Sequence, residues 1–320
     1  MKSKVYAIIA VAVILIAAVA TYSIVFAGDS SDKNDNPGEE VPSEEAFSIV
    51  DYRGNTISFD APAERIVSLG SAFTDVISWL NCEDKIVGLD GTSYKNLENA
   101  KELNIVDLGA VSSINLESLK TINPDCIFIW SFPSYVATDG IITNLENNGF
   151  KVVALYPSSV DSTMQSISTI SKIIGSDEAI EKSADLQNRI DAISAKVANI
   201  PEDERVKVYL QLQSGNTVGK DSISNELITL AGGINIYGEV TTSKNPTPNA
   251  EYIATQNPDV ILLEAGSAQT ETVDSISAKL PTTNAVQDGR VHIISANTMT
   301  ASPNLIIALE EMVSFFYPDL

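Results

Sequence analysis

The sequence predicts an α/β protein built as two doubly wound parallel-sheet lobes joined by a long interdomain helix. Three observations lead there. Short apolar runs alternate with helix-period segments on both sides of the chain's middle. Between the two alternating regions, Asp161 to Val197 keeps helical periodicity and contains no strand pattern. One helix–turn–strand unit occurs twice at a constant offset of 134 residues. With 320 residues, of which 44% are hydrophobic and 19% charged, there is apolar material for two cores and no compositional mark of disorder over most of the chain.

Taken in order, the chain begins with an uncharged apolar run of 23 residues, Val5 to Ala27, preceded by Lys2 and Lys4. At 1.5 Å per helical residue such a run crosses a hydrocarbon core of roughly 30 Å. Positive charge on the short leading side keeps that side in the cytoplasm and sends the remainder out. Residues 1–27 read either as a retained membrane anchor, for which the length argues, or as a signal peptide, for which Val25-Phe26-Ala27 resembles a cleavage site. Residues 28–46 are polar and acidic and carry two prolines, the makings of a flexible spacer.

Residues 47–160 are expected to form the first lobe. Strands are predicted at Arg65 to Leu69, Lys85 to Leu89, Cys126 to Trp130 and Val152 to Tyr156. Helices are predicted at Phe73 to Leu80, Leu116 to Ile122 and Ile141 to Asn148. Residues 161–200 form the linking helical stretch, interrupted at Gly175-Ser176-Asp177, where glycine stops one helix and Ser or Asp caps the next. Residues 201–320 restart the alternation as the second lobe. Its strands are Val206 to Leu212, Val260 to Leu263 and Arg290 to Ser295, with a helix over Asn225 to Ala231.

Composition removes several classes of function. Acidic residues outnumber basic ones 42 to 20, a formal charge of −22, so nucleic acid would be repelled. The single histidine, His292, lies in a strand pattern and reads as a packing residue, which leaves no His-rich zinc or haem site. Cys82 and Cys126 have no metal-type spacing. They read as buried free thiols, with a disulfide between them as the alternative outside the cytoplasm. No Gly-x-Ser-x-Gly elbow, phosphate-binding loop, dinucleotide fingerprint or His-Glu-x-x-His motif is present, and an enzyme is not expected.

The repeat carries the functional reading. Asn115, Glu117, Thr121, Asn123, Pro124, Asp125 and Ile127 recur as Asn249, Glu251, Thr255, Asn257, Pro258, Asp259 and Ile261, seven identities in fifteen positions. Proline removes a backbone donor and disfavours helix before it, so both copies are a helix that must stop, followed by a buried strand. In open parallel sheets the connecting helix begins near the carboxyl edge of the preceding strand, the edge where ligands bind. Glu117 and Glu251 are therefore expected to project from equivalent rims, one per lobe, on the cleft side of the molecule; the helix dipole, which favours an acid in a first turn, is the alternative reason for either one alone.

These segments resemble the solute-binding proteins of ABC importers for iron siderophores, haem and vitamin B12, whose two lobes are joined by a rigid helix. The resemblance runs from about Phe47 to Leu320. Besides the two Asn-Pro-Asp segments it rests on Asp51 to Ile57, Pro62 to Leu69, Asp84 to Gly88, Glu226 to Asn235 and the terminal Asn304 to Pro318. It implies that Glu117 and Glu251 dock on arginines of a permease dimer, and that the chain is a monomer carrying a small-molecule metal chelate. It also implies an extracytoplasmic place, tethered to the outer face of the cytoplasmic membrane or released from it.

Ligand contacts are then expected from loops at the carboxyl ends of the strands. The candidates are Ser71, Tyr94, Trp130 and Tyr135 in the first lobe, and Gln213, Lys220, Glu264 and Asn297 in the second. The aromatic groups suit a flat or bulky ligand. No resident cofactor or metal is expected. The ligand is read as a ferric chelate, a corrinoid or, less favoured, haem. Lys220 is the one basic candidate, which favours a neutral or weakly charged chelate or corrinoid. Two other classes stay open at this point: a tethered ligand sensor or surface protein of the same fold without transport, and an enzyme on an α/β scaffold.

Overall fold

A computed structural model of the chain describes residues 46–131, 136–240, 243–266, 269–295 and 298–320, with the backbone alone at 136–138. All belong to the unit Glu44–Leu320. The apolar N-terminal run, the acidic spacer up to residue 45, Tyr135 and Asn297 lie outside the described residues.

The chain enters through an antiparallel hairpin, β1 (Phe47–Val50) and β2 (Thr56–Phe59). The Asp51 carboxylate closes its turn by accepting the backbone N–H of Arg53 at 2.9 Å and of Asn55 at 3.0 Å. The first lobe then sets down β3 (Ile66–Leu69), β4 (Ile86–Leu89), β5 (Val106–Asp107), β6 (Cys126–Trp130) and β7 (Val152–Leu155) in the order β5-β4-β3-β6-β7. Every neighbouring pair is parallel. Its helices are α1 (Ser71–Trp79), α2 (Gly91–Asn96), α3 (Leu116–Ile122) and α4 (Val136–Asn147). Strands β3 and β7 are buried throughout, and β6 as far as Trp130, which is why they read as unbroken apolar runs.

Two helices follow. The first, α5 (Val160–Ile174), ends at Gly175 with φ 74°, and the second, α6 (Asp177–Val197), starts from a Ser176 cap. Gly175 is required twice over: its backbone is left-handed, and a β-carbon there would collide with the Pro62 ring. The second lobe holds β8 (Lys207–Gln211), β9 (Ile234–Asn235), β10 (Val260–Glu264) and β11 (Val291–Ile294), all parallel, in the order β11-β10-β8-β9. Around it lie α7 (Ile223–Leu230), α8 (Ala250–Gln256), α9 (Val273–Lys279), α10 (Asn284–Gln287) and α11 (Leu305–Phe316).

Helix α6 reaches both lobes. Near its start Lys182 donates to the Trp79 carbonyl at 3.0 Å, and Asn81 donates to Glu178 at 3.0 Å. Further along, Arg189 pairs with Glu310 of α11 at 2.7 Å, and Val197 packs against Gly232. A single apolar cluster joins Phe73 and Ile77 of the first lobe to Ile167 and Ile170 of α5 and Leu186 and Ile190 of α6, and then to Leu210, Leu227, Leu309 and Met312 of the second lobe. The two lobes therefore share a core.

The repeat has a structural explanation for six of its seven identities. Asn115 and Asn249 cap their helices, accepting the N–H of Ser118 at 3.0 Å and of Tyr252 at 2.9 Å. Thr121 and Thr255 donate to the carbonyls of Glu117 and Glu251. Asn123 and Asn257 end the helices in left-handed backbone, φ 43° and 50°, a conformation asparagine tolerates best after glycine. Pro124 and Pro258 follow as the breakers. Asp125 then accepts the N–H groups of Glu64 and Arg65, each at 2.8 Å, at the approach to β3, and Asp259 accepts that of Lys207 at 2.9 Å, where β8 begins. Ile127 and Ile261 are fully buried. Each Asn-Pro-Asp turn thus ties its helix to an interior strand of its own sheet.

Both cysteines are free and buried, so the disulfide alternative is not realised. Burial pushes the Cys126 thiol far up, which leaves it inert as a nucleophile or redox group. Among the described residues no helix is long and apolar enough to cross a membrane.

The Asp125 contacts set an expected outcome. Asp125→Ala removes the acceptor for two backbone donors and should lower stability by about 1–3 kcal/mol, read by urea denaturation. Asp125→Asn, which keeps one acceptor oxygen, should lose less.

Candidate functional site

At the carboxyl end of the first sheet the side chains are aromatic. Trp130 closes β6 with its ring centroid 5.5 Å from Phe73 and 6.5 Å from Tyr156, the latter edge-on at 85°. Tyr156 in turn lies 5.2 Å from Tyr52 of the hairpin turn. Gly70 leaves room for the Phe73 ring, which a β-carbon there would approach to 3.2 Å. Ser71, the next residue, opens α1 and is exposed. Asp90 caps α2 through the N–H groups of Thr92 and Ser93, and Tyr94 of that helix is half-buried against the core.

At the carboxyl end of the second sheet, the Gln213 N–H donates to the Glu264 carboxylate at 3.0 Å. Glu264 is the last residue of β10 and is buried, and the Gln213 side-chain amide packs over Gly266. Tyr209 donates to Gln211 at 2.9 Å deeper on the same strand face.

A cleft of about 620 Å³ opens where the lobes meet. The first lobe lines it with Tyr156, Ser158 and Ser159, and the second with Lys220, Asp221, Ser222, Asn225, Glu226, Thr229, Gly238, Glu239 and Lys244. Lys220 stands 3.1 Å from Glu239. The lobes touch through Glu226, whose carboxylate accepts the Val160 N–H at 2.7 Å. That donor is one of the amides at the start of α5 that have no acceptor within the helix. Ser159 and Ser162 satisfy others through a reciprocal capping box. Burial raises the Glu226 carboxyl above its ordinary value; the Val160 hydrogen bond offsets part of this and the nearby charge of Asp161 adds to it.

The structure gathers Ser71 and Trp130 at one sheet edge, and Gln213 and Glu264 at the other. Lys220 lines the cleft itself, and Tyr94 is partly spent in packing. Tyr135 and Asn297 lie outside the described residues. Sequence reasoning missed Tyr156, read only as a strand end, although the following Pro157 marks it as the point where the chain leaves the sheet. It also assigned no role to Glu226, whose partner lies 66 residues away. Glu117 stands in the first turn of α3 with its side chain 89% exposed, 3.7 Å from Lys120. Glu251 stands in the first turn of α8, exposed, with no side-chain partner among the described residues. Among the described residues no cluster of His, Cys, Asp or Glu is placed to hold a metal ion.

Paired parallel-sheet lobes that share a core and a helix, with a cleft walled from both sides, define a bilobal binding protein. The chain belongs to the periplasmic binding protein family, whose pattern it matches over residues 66–298. It is 26% identical over 277 residues to a cobalamin-binding protein of Halobacterium salinarum, covering 83% of this chain and 73% of that one. An uncharacterised ABC transporter substrate-binding lipoprotein of Bacillus subtilis is 25% identical over 311 residues, covering 91% and 92%. The solved periplasmic vitamin B12-binding protein of Vibrio cholerae has the same fold, with a TM-score of 0.62 at 22% identity over 80% of this chain and 97% of that one.

The Glu226 contact gives a pH expectation. A carboxyl raised in the folded state contributes stability that is fully present below its unfolded value and is lost as pH rises through the folded one. Glu226→Gln, whose amide oxygen still accepts from Val160, should abolish that loss in the window just above the ordinary carboxylate value of 4.5. Thermal melts of wild type and variant across that window check it.

Proposed function

We propose that this chain is the solute-capturing component of an ABC importer and that its ligand is a corrinoid of the cobalamin type, held between the lobes and presented to a permease dimer. The cleft carries this reading. It is walled by Tyr156, by hydroxyl groups and by the Asn225 amide, and its two lysines, Lys220 and Lys244, face three carboxylates, Asp221, Glu226 and Glu239. A polyanionic ferric siderophore calls for a surplus of positive charge. A neutral, amide-fringed macrocycle calls for hydrogen-bonding groups and a flat aromatic surface. Tyr156 of the cleft wall, with Trp130 edge-on behind it, supplies such a surface, and Lys220 of the opposite wall supplies a hydrogen-bond donor; Ser71 and Gln213, on the carboxyl edges of the two sheets, are the further contacts in this reading. The names carried by the Halobacterium and Vibrio proteins support the same ligand class.

Glu117 and Glu251 are the permease contacts in this reading. Six of the seven repeated identities have a structural task, and the glutamate side chains are the exception: exposed, one on each lobe, and bonded to nothing that holds the fold. Carboxylates of this kind meet arginine in orienting, two-pronged pairs. Binding rather than catalysis fits a chain whose lone histidine is stacked on Phe315, 4.3 Å away and coplanar within 3°. Residues 1–27 tether the protein outside the cytoplasmic membrane as a monomer, unless that segment is cleaved.

Equilibrium dialysis of the full chain in detergent micelles against cyanocobalamin, a ferric hydroxamate and haem is the direct test. Cyanocobalamin should bind at micromolar concentration or tighter and the other two at least tenfold more weakly; failure of cyanocobalamin to bind overturns the ligand assignment. Trp130→Ala should weaken cyanocobalamin binding by about tenfold. Replacing both Glu117 and Glu251 by Ala should leave that affinity intact while abolishing cobalamin uptake by cells that depend on this chain.

A further inference from the structure

The repeat that makes the lobes alike also shows where they differ. At the same offset, Ser118 corresponds to Tyr252 and Lys120 to Ala254. Both differences sit beside the exposed glutamates. In the first lobe Lys120 lies 3.7 Å from Glu117, and the adjoining recess, about 300 Å³, has no aromatic wall. In the second lobe nothing among the described residues pairs with the Glu251 carboxylate. It borders a recess of about 530 Å³ walled by Tyr237 and Tyr252.

Those rings are held in place. The Tyr252 hydroxyl donates to the Ile236 carbonyl at 2.8 Å, and the Tyr237 hydroxyl accepts the Asn249 N–H at 2.9 Å. The rings stand 4.9 Å apart at 62°, with Tyr237 buried behind and Tyr252 37% exposed in front. A fixed aromatic face beside an unpaired carboxylate suits one chemistry above others. A guanidinium is planar and weakly hydrated, so it can stack on a ring while its N–H fork meets the carboxylate; an ammonium is compact and strongly hydrated and gains less.

We infer that the Tyr237–Tyr252 recess beside Glu251 is a socket for an arginine side chain of the permease, and that the protein therefore engages a permease dimer unequally, second lobe first. At the first lobe Lys120 competes for Glu117, and among the described residues no ring lines the recess to support an incoming guanidinium. This inference rests on the docking reading of Glu251 and adds to it the aromatic seat and the rank of the contact.

Residue-resolved NMR of the full chain in micelles, titrated with N-acetyl-arginine amide and separately with N-acetyl-lysine amide, tests it. The arginine amide should perturb Glu251 and Tyr252 at about two- to fivefold lower concentration than Glu117 and Ser118, and the lysine amide should show no such preference. Tyr252→Ser should remove the preference and Tyr252→Phe should retain it, while Lys120→Ala should narrow the gap from the other side. Equal response to the two amides in the unmodified protein, or earlier saturation at Glu117, overturns the inference without any variant. The docking reading fails separately, if Glu251→Ala leaves cobalamin uptake unchanged. Loss of uptake in Glu251→Ala together with no preference for the arginine amide sinks the socket alone.

Discussion

The apolar cluster that runs from Phe73 and Ile77 through Leu186 and Ile190 of α6 to Leu309 and Met312 is the constraint on which the rest of the molecule depends. Each lobe has a parallel sheet that must be covered on both faces. Here the cover on one face of each sheet comes from helices whose apolar sides merge. Separating the lobes would return buried apolar surface to water, at about 25 cal/mol for each Å². The cleft thus lies between bodies that are packed together, in contrast to domains joined only by extended linkers, and small adjustments at its rim cost less than opening it. The Glu226–Val160 hydrogen bond adds a polar contact at the edge of that junction, where the cleft begins.

Duplication supplies the second organising fact. An Asn cap, a back-bonding Thr, a left-handed Asn, a Pro and an Asp recur because together they stop a short helix and anchor it to an interior strand. None of these can be exchanged freely: the left-handed position disfavours most side chains, and the Asp satisfies backbone donors at the approach to the neighbouring strand. The glutamate is bound by no such requirement. Its presence in both copies draws attention to the rims of the lobes, and the substitutions next to it, Lys120 and Tyr252, give the two rims different chemistry.

Much of the site was beyond the reach of sequence reading, for reasons that can be named. Tyr156 and Trp130 are 26 positions apart in the chain and meet because β6 and β7 are neighbours. Glu226 looks like an ordinary first-turn acid until α5 is brought against it. The two-residue strands β5 and β9 carry no period to detect, and the hairpin β1–β2 is too short to outweigh its polar turn. Glu264 is placed at a strand end where a ligand contact is expected, and only the folded chain shows that one of its oxygens also accepts the Gln213 N–H.

By itself the sequence determined the local grammar. Hydrophobic period sets strand against helix, Gly175 and Ser176 break the central helical stretch, and the Asn-Pro-Asp turns fix where two helices end, because each of these depends on neighbours a few residues away. Tertiary structure alone decided which of those elements face one another. The merged core, the cleft lined from both lobes and the tyrosine wall beside Glu251 all depend on contacts between distant segments. Such contacts are selected by the packing of whole surfaces, and no single stretch of residues encodes them.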